Sequence, residues 1–85
     1  MNLTEQFENA TQDVKKLESK PSVENMLKLY SFYKQATLGD VKGKRPGMLN
    51  LAGKSKYDAW EKIKGMSSEE AKKSYIDLVK TLQNA

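Results

Sequence analysis

The sequence contains neither cysteine nor histidine. Without cysteine the chain can form no disulfide framework and no thiolate metal site. Without histidine it lacks the commonest general base and the commonest transition-metal ligand. Its first residues carry an acid early and no apolar run, unlike a secretory signal, and no uncharged stretch approaches the ~20 residues that span a bilayer. We therefore expect a cytoplasmic protein without a metal site.

The length and composition indicate one globular domain, which we place at residues 1–85. Hydrophobic residues make up 38% of the chain and charged residues 31%, as in soluble globular proteins rather than disordered chains. The net charge of +4 arises from basic and acidic residues that are intermixed along most of the sequence. This charge is compatible with an anionic partner but does not identify one.

Apolar residues recur at three- and four-residue spacing, which predicts an all-α bundle of four helices. Asn2 and Glu5 suit the start of the first helix, and its apolar stripe is formed by Leu3, Phe7, Ala10, Val14 and Leu17. Lys20-Pro21-Ser22 separates this helix from the second, because proline disfavours a helical residue before it. Ser67 and Glu70 form a capping box for the fourth helix, whose stripe comprises Ala71, Tyr75, Leu78, Val79 and Leu82.

The second helix is predicted from Ser22 to about Leu38, with Gly39 as its C-terminal stop. Its polar residues form one narrow strip that we expect to face water: Glu24, Lys28, Ser31 and Gln35. The remaining arc is apolar or aromatic and covers roughly twice the ~100° that packing on one side requires. The helix therefore has two apolar faces. One contains Leu29, Phe32 and Ala36, and the other contains Val23, Leu27, Tyr30 and Lys34.

Lys34 is a cation within this second apolar face, one turn after Tyr30 and beside Tyr33. Two interpretations are open. Its apolar stem can extend along the aromatic rings while the ammonium reaches water, or the ammonium can pair with an anion. Phenol hydroxyls, an ammonium and a basic loop on one side of a helix suggest a ligand with both a phosphate and an apolar part.

The third helix is predicted from Gly53 to Ile63, with Gly65 ending it, and a long connection precedes it. About thirteen residues without regular structure join helices two and three, and such a loop in a small domain is usually functional or unusually well packed. We expect its far half to tuck against the core through Met48, Leu49 and Leu51. Lys42, Lys44 and Arg45 then remain available to solvent or ligand.

No arrangement of residues indicates catalysis. Gly53-Lys54-Ser55 resembles the end of a P-loop, but five residues separate Gly47 from Gly53 where the motif needs four, and no strand precedes it. Asp58 and Glu61 lie one turn apart among lysines, as on a solvated ion-pair face. Because no nucleophile lies beside a base, we expect a protein that is not an enzyme.

Three runs resemble the acyl-CoA-binding protein family: residues 30–40, Arg45-Pro46-Gly47-Met48 and residues 54–60, the last reading Lys-Ser-Lys-Tyr-Asp-Ala-Trp. Family-like residues extend from Phe7 through Lys20-Pro21 to Tyr75-Ile76. The resemblance implies a four-helix up-down-down-up bundle that binds one long-chain fatty acyl-CoA ester per protein, non-covalently, in a groove. It also implies a monomeric carrier and pool former, with no cofactor and no stable membrane insertion, that takes acyl-CoA from membranes and water and delivers it unchanged to enzymes.

The same resemblance assigns contacts to the polar part of the ligand. Tyr30, Lys34 and Lys56 are expected to hold the 3'-phosphate of CoA, since a phosphate accepts strong bonds from ammonium and phenol donors. Lys15 matches a position, usually basic in the family, that approaches the nucleotide phosphates. The alternative for Lys15 is a solvated side chain without a ligand.

The aromatic residues are assigned in the same way. Tyr33 is expected to pack on the adenine, and Tyr75 to close over the ligand from the last helix. Tyr75 and Trp60 also lie on helical stripes, so a place in the core is the alternative for Tyr75 and the main expectation for Trp60.

Two positions depart from the family pattern. Tyr57 stands where a tryptophan is common, which predicts a smaller ring beside the ligand. Ala52 stands where a lysine is frequent, which predicts one cation fewer near the phosphates. Both departures bear on affinity and chain-length preference more than on the class of ligand.

A small basic module for nucleic acid is the alternative from another class, because it would use the same lysines and aromatic rings. The basic residues do not form one extended stripe, and the first and last helices carry many acids. We therefore expect no nucleic-acid partner.

Overall fold

The computed structural model describes residues 1–85 and contains four α-helices. They are α1 (Leu3–Asp13), α2 (Val23–Leu38), α3 (Leu51–Glu61) and α4 (Ser68–Gln83), with a 3-10 turn at Val14–Lys16 after α1. The all-α class and the four helices are confirmed.

Side-chain caps determine where the helices begin. The side chain of Asn2 accepts a hydrogen bond from the Glu5 amide at 2.8 Å, and Ser67 accepts one from the Glu70 amide at 3.0 Å. Ser22 caps α2 in the same way. These bonds satisfy amides that have no partner inside the helix. Gly39 ends α2 with a φ of 84°, a conformation that costs residues with a side chain more than glycine.

Three predicted boundaries were wrong, one of them the end of the third helix, which lies at Glu61 rather than at the predicted Ile63. The first helix ends at Asp13 and continues only as the 3-10 turn, and Leu17 is extended with a ψ of 135°. The third helix begins at Leu51, two residues before the predicted Gly53, because the side chain of Asn50 accepts a hydrogen bond from the Gly53 amide at 2.9 Å. The sequence analysis overlooked this cap.

Contacts between helix ends confirm the up-down-down-up order. Lys72 Nζ donates to Thr4 Oγ1 at 3.0 Å, so α1 and α4 begin at the same end of the bundle. Ser68 Oγ donates to the Ala36 carbonyl, which makes α4 antiparallel to α2. Trp60, near the end of α3, donates its Nε1–H to the carbonyl of Gly39, just after α2. The neighbouring helices α2 and α3 are therefore parallel.

This parallel pair explains the long connection between α2 and α3. A tight turn joins antiparallel neighbours, whereas a parallel partner requires the chain to return along the length of the first helix. The return path over the 16 residues of α2 is about 24 Å at 1.5 Å per residue. Residues 39–50 span it.

The apolar core is built from three of the four helices. Its buried members are Phe7, Ala10, Leu29, Ala36, Ala71, Tyr75, Ile76 and Val79. They belong to α1, α2 and α4, and α3 has no buried residue. Because α3 packs beside α2 without entering this core, one side of the α2–α3 pair is left open.

The prediction that the whole polar strip of α2 faces water was wrong. Glu24 and Lys28 are exposed and form an ion pair at 3.5 Å, but Ser31 and Gln35 are only 3% and 1% exposed. The cause is the parallel packing of α3, which, together with the connection to α4, covers the C-terminal half of the strip.

Gln35 lies at the centre of a group that we call the polar hub, formed by Gln35, Asp40 and Trp60. The side-chain amide of Gln35 donates to Asp40 Oδ1 and to the Met66 carbonyl, both at 2.8 Å, and its Oε1 accepts from Trp60 Nε1 at 3.0 Å. Asp40 also accepts from the Gly65 amide at 2.7 Å. The hub joins the C-terminal ends of α2 and α3 to the start of α4. Trp60 therefore has a structural role, but it is only partly buried and lies outside the apolar core in which it was predicted.

The prediction that the loop tucks its apolar residues inward was also wrong. Met48, Leu49 and Leu51 are 81%, 104% and 70% exposed. Polar bonds hold the loop instead, since both Arg45–Asp58 contacts measure 2.7 Å and the Tyr57 hydroxyl donates to the Gly43 carbonyl at 3.1 Å. Arg45 is therefore paired within the protein, while half of its side chain stays exposed to solvent, one of the two expected alternatives.

Candidate ligand-binding groove

A cavity of about 860 Å³ opens between the N-terminal halves of α2 and α3. Its lining residues are Lys20, Pro21, Ser22, Val23, Met26, Leu27, Tyr30, Leu51, Ala52, Ser55 and Lys56. A second cavity of about 340 Å³ shares Pro21, Met26 and Tyr30 with the first and is completed by Val14, Leu29, Tyr33 and Tyr75. We call the two connected cavities the groove.

The groove has an apolar end and a polar end. Both lining helices run in the same direction, so their N-terminal residues lie together at one end of the groove. Val23 and Leu51 lie at the N-terminal ends of α2 and α3, whereas Tyr30 and Lys56 lie further along. Val23 is 74% exposed and Leu51 70%. Adjacent exposed apolar side chains in a concave surface commonly mark a binding site.

Two cations meet at the ring of Tyr30. The ammonium nitrogens of Lys34 and Lys56 lie 5.7 Å and 5.4 Å from its centroid. Neither forms an ion pair, since the salt bridges of the protein are Glu24–Lys28 and Arg45–Asp58. The aromatic ring partly compensates the two positive charges, but only an anion would neutralise them. The structure thus brings Tyr30, Lys34 and Lys56 together as the sequence predicted.

The tyrosine hydroxyls differ in their hydrogen bonding. Tyr57 donates to a backbone carbonyl, whereas the hydroxyls of Tyr30, Tyr33 and Tyr75 make no hydrogen bond within the protein, and all three residues line the groove. A phenol hydroxyl both donates and accepts. The groove therefore presents three hydroxyls that a ligand can engage.

Tyr33 and Tyr75 form an aromatic cluster with Phe7. Phe7 stacks on Tyr33 with ring centroids 5.9 Å apart and meets Tyr75 edge-on at 5.2 Å. Tyr33 is 42% exposed and can offer a ring face to a ligand, while Tyr75 is 5% exposed and belongs to the core as well as to the groove wall. Phe7 was predicted on the apolar stripe of the first helix, but its contact with Tyr33 was not predicted. Residue spacing carries no information about contacts between α1 and α2.

Burial raises the pKa of Tyr75, and the neighbouring Tyr33 raises it further. The hydroxyl of Tyr75 therefore stays protonated throughout the neutral range, where it can donate a hydrogen bond.

Lys15 is the predicted site residue that the structure does not bring to the group around Tyr30. It is exposed on the 3-10 turn after α1, directly after the groove residue Val14, and its ammonium forms neither an ion pair nor a hydrogen bond.

The two positions that depart from the family pattern occupy different surroundings. Ala52 lines the groove at its apolar end, beside Leu51. Tyr57 is not part of the groove lining, and its hydroxyl is bound to Gly43 in the loop.

No cluster of three or more acidic side chains that could hold a metal ion is present. None of the four helices combines the length and apolar character that crossing a membrane requires.

Comparison with known proteins shows the family of the chain. Residues 4–79 match the model of the family described as acyl-CoA-binding protein. The chain is 49% identical over 85 residues to an acyl-CoA-binding protein of Gossypium hirsutum, covering 100% of this chain and 96% of that protein. It is 48% identical over 83 residues to an acyl-CoA-binding protein homolog of Manduca sexta, with 96% and 92% covered.

The fold is also similar to a solved structure. The crystal structure of Oryza sativa acyl-CoA-binding protein 2 superimposes with a TM-score of 0.92 at 45% sequence identity, covering 96% of this chain and 89% of that one. The chain belongs to the acyl-CoA-binding protein family.

Proposed function

We propose that the groove binds one long-chain fatty acyl-CoA ester per protein molecule, non-covalently, and that the protein carries and pools this ligand without changing it. Family membership supplies the ligand class. One observation supports the site: the ammonium groups of Lys34 and Lys56 converge on Tyr30 without any acidic partner. The protein thus presents cations and hydroxyls to an anion that it does not itself provide.

The 3'-phosphate of CoA is the proposed partner of this cationic group. A phosphate oxygen accepts charge-assisted hydrogen bonds from lysine ammonium groups and from a phenol hydroxyl, and such bonds are roughly twice as strong as neutral ones. Binding of the phosphate also removes the repulsion between two like charges. Lys34, Lys56 and Tyr30 therefore act as one anion-binding unit.

The adenine ring is placed on the exposed face of Tyr33. Stacking of a base on an aromatic side chain contributes about 1–3 kcal/mol. Phe7 stacks on the Tyr33 ring, so little side-chain freedom is lost on binding. The protonated hydroxyl of Tyr75 is available to donate to the ligand from the same wall.

The acyl chain is placed at the apolar end, between Met26 and Leu27 of α2 and Leu51 and Ala52 of α3. Each methylene that leaves water contributes roughly 0.8 kcal/mol. Affinity should therefore rise with acyl length until the groove is filled. Ala52 increases the apolar lining at a position where a lysine is frequent in the family.

We propose no chemical step in this groove. The family is one of binding proteins, and the polar side chains of the lining are lysine, serine and tyrosine. A time course of free CoA release from palmitoyl-CoA tests this point, and steady release that scales with protein concentration would indicate a thioesterase instead.

Titration calorimetry with palmitoyl-CoA tests the binding function. We expect saturable heat with a stoichiometry near one, and much weaker heat with free palmitate, which lacks the nucleotide. Equal heats from the two ligands would contradict the proposal. Cytoplasmic location and a monomeric state remain predictions from the sequence.

The nucleic-acid alternative has its own test. The proposed carrier should give no electrophoretic shift with single- or double-stranded oligonucleotides at moderate salt. Tight binding there would restore the alternative.

A further inference from the structure

Met26 occupies a central position in the groove. It lines both connected cavities, a property that it shares only with Pro21 and Tyr30. The residue is 42% exposed, so a small solute can reach its side chain from the empty groove. In the proposed complex the acyl chain lies against this side chain and covers it.

Met26 also carries the only sulfur atom of the groove. The chain contains four methionines and no cysteine, and the other three methionines lie outside the groove lining. Met1 and Met48 are 78% and 81% exposed, and the sulfur of Met1 accepts a hydrogen bond from the Asn9 side chain at 3.0 Å. Met66 packs against the core. Because no thiol is present to react first, an oxidant that enters the groove meets a thioether.

Hydrogen peroxide oxidises a thioether in one two-electron step. A lone pair on the sulfur forms a bond to one peroxide oxygen while the O–O bond breaks. The departing hydroxide takes the proton of the transferred oxygen and leaves as water, so the sulfur is oxidised to the sulfoxide and the peroxide is reduced. A flexible apolar side chain thereby becomes polar.

The surroundings of Met26 can hold a sulfoxide. Met26, Tyr30 and Tyr33 are spaced at i, i+4 and i+7 on one face of α2. With Tyr75 they line the same cavity of about 340 Å³, in which three phenol hydroxyls lack a protein partner. A phenol hydroxyl can donate to an acceptor oxygen. Met26 does not belong to the buried core, so its oxidation should leave the fold intact.

We propose that Met26 is a site of reversible oxidation by hydrogen peroxide, and that its sulfoxide weakens the binding of long-chain acyl-CoA. The acyl chain has to displace water from the sulfoxide oxygen without offering it a hydrogen bond, which is unfavourable. Methionine sulfoxide reductases restore the thioether. The inference rests on the proposed function, since it concerns regulation of the same groove.

The direction of the coupling follows from the position of the residue. A bound acyl chain covers the sulfur, whereas CoA without an acyl chain leaves the apolar end of the groove open. Peroxide therefore acts on the empty protein, and the loaded protein is protected. Oxidation removes empty carriers without releasing ligand that is already bound.

Peptide mass spectrometry after peroxide treatment tests the modification. At a free palmitoyl-CoA concentration about ten times its Kd, we expect Met26 to be oxidised roughly tenfold more slowly than in the empty protein. CoA at the same saturation should protect Met26 much less. Met48, outside the groove, is the internal reference and should be oxidised at the same rate with and without ligand.

Titration calorimetry with palmitoyl-CoA tests the consequence. The oxidised protein should bind palmitoyl-CoA roughly tenfold more weakly than the untreated protein. The affinity for CoA, which lacks the acyl chain, should fall by less. Treatment with a methionine sulfoxide reductase should restore the original affinity.

Two variants assign the effect to one residue. Met26→Leu removes the sulfur and keeps an apolar side chain of similar volume, so its affinity should be the same before and after peroxide, whatever its starting value. Met48→Leu is the matched control, because it removes the most exposed methionine and retains Met26. It should lose affinity on oxidation as the unsubstituted protein does.

Three results would each overturn the proposal. An equal loss of affinity in oxidised Met26→Leu would assign the effect to another methionine. Oxidation of Met26 that bound palmitoyl-CoA does not slow would show that the acyl chain leaves the sulfur uncovered. Unchanged affinity after complete oxidation of Met26 would show that the sulfoxide does not affect binding.

This proposal and the carrier function fail in different ways. Failure of the untreated protein to bind palmitoyl-CoA would disprove the carrier function, and the regulation with it. Saturable binding by the untreated protein that oxidation of Met26 leaves unchanged would disprove the regulation alone.

Discussion

Two faces of α2 differ in how their polar groups are satisfied. On the face that carries the polar hub, the side chain of Gln35 uses its donor and acceptor groups within the protein and is 1% exposed. At the groove, Lys34 and Lys56 meet at Tyr30 without an acid, and three tyrosine hydroxyls have no protein partner. Lys34 and Gln35 are neighbours in sequence on different faces of the same helix.

This difference separates stability from binding. Removing one member of a satisfied buried group leaves its partners without hydrogen bonds, so the folded state loses free energy. Removing a cation without an acidic partner leaves no buried group without a hydrogen bond, and the relief of repulsion opposes the loss of its contact with the Tyr30 ring. We therefore expect hub substitutions to act on unfolding and groove substitutions to act on ligand affinity.

The largest effect is expected for Gln35→Ala. It leaves the Met66 carbonyl without its donor and opens a cavity among α2, α3 and α4, so the free energy of unfolding should fall by about 2–4 kcal/mol. Urea denaturation measures this change. Palmitoyl-CoA affinity, measured where the variant is still folded, should stay within about twofold of the unsubstituted protein, a difference of roughly 0.4 kcal/mol.

Lys28→Ala is the control for this prediction. Lys28 lies on the same polar strip, but its ion pair with Glu24 is exposed, so its loss should cost under about 1 kcal/mol. If Lys28→Ala and Gln35→Ala were equally destabilising, the distinction between the two halves of the strip would be lost.

The next effect is expected for Lys34→Ala. The lost charge-assisted bond to the 3'-phosphate contributes about 1.5–3 kcal/mol. Palmitoyl-CoA binding should therefore weaken roughly tenfold to a hundredfold. Calorimetry with palmitoyl-CoA and with its 3'-dephospho analogue measures it. The substitution and the missing phosphate should together cost little more than either alone.

Additive losses would show that Lys34 does not touch the 3'-phosphate. Lys28→Ala again serves as control, because it removes a lysine of the same helix that pairs with Glu24 and does not lie at Tyr30. The Lys28→Ala variant should bind palmitoyl-CoA with unchanged affinity. The melting temperature of Lys34→Ala should not fall.

Tyr33→Ala is expected to have a smaller effect on affinity, about tenfold, since one stacked base contributes about 1–3 kcal/mol. Tyr33→Phe keeps the ring stacked on Phe7 and removes only the hydroxyl, so it measures the contribution of the hydroxyl to binding. We expect the phenylalanine variant to bind within about threefold of the original protein, about 0.7 kcal/mol. A similar loss in both variants would assign the contact to the hydroxyl rather than to the ring face.

The smallest effect near neutral pH is expected from the carboxylates of Asp40 and Asp58. Hydrogen bonds from the Gly65 amide and Gln35 lower the pKa of Asp40, and the bonds from Arg45 lower the pKa of Asp58. A lowered pKa means that each carboxylate stabilises the fold fully above its unfolded pKa of about 3.9. That contribution is lost as the pH falls through the folded pKa.

Denaturation midpoints measured from neutral pH down to strongly acidic pH test this dependence. Asp40→Asn should flatten the acid limb of the curve, because its amide does not titrate. An unchanged limb in that variant would remove Asp40 from the list of contributing groups.

Sequence periodicity and capping residues were sufficient for the four helices, and the family resemblance supplied their up-down-down-up order. Asn2, Ser22 and Ser67 begin helices as predicted, and Gly39 ends one. The errors occurred where tertiary contacts override local pattern. Ser31 and Gln35 share a helical strip with Glu24 and Lys28, and only the position of α3 decides which half of the strip is buried.

The cationic group at Tyr30 was predictable because Tyr30 and Lys34 lie one turn apart and the family resemblance added Lys56. The contacts of the loop could not be predicted from the sequence. Tyr57 and Arg45 bind partners 14 and 13 positions away, and such pairs leave no periodic signal. The exposure of Met48 and Leu49 was missed because apolar residues were assumed to seek the core.

The bond between Lys72 and Thr4 joins positions 68 residues apart, which bears on how the domain folds. Closing a loop of this length costs conformational entropy, and contacts of such long range slow folding relative to local helical contacts. Tyr75 reaches the groove only through α4, which packs on α1 and α2. A fragment without α4 would keep Tyr30, Lys34 and Lys56 yet lack one wall of the groove, so high ligand affinity is a property of the fully folded chain.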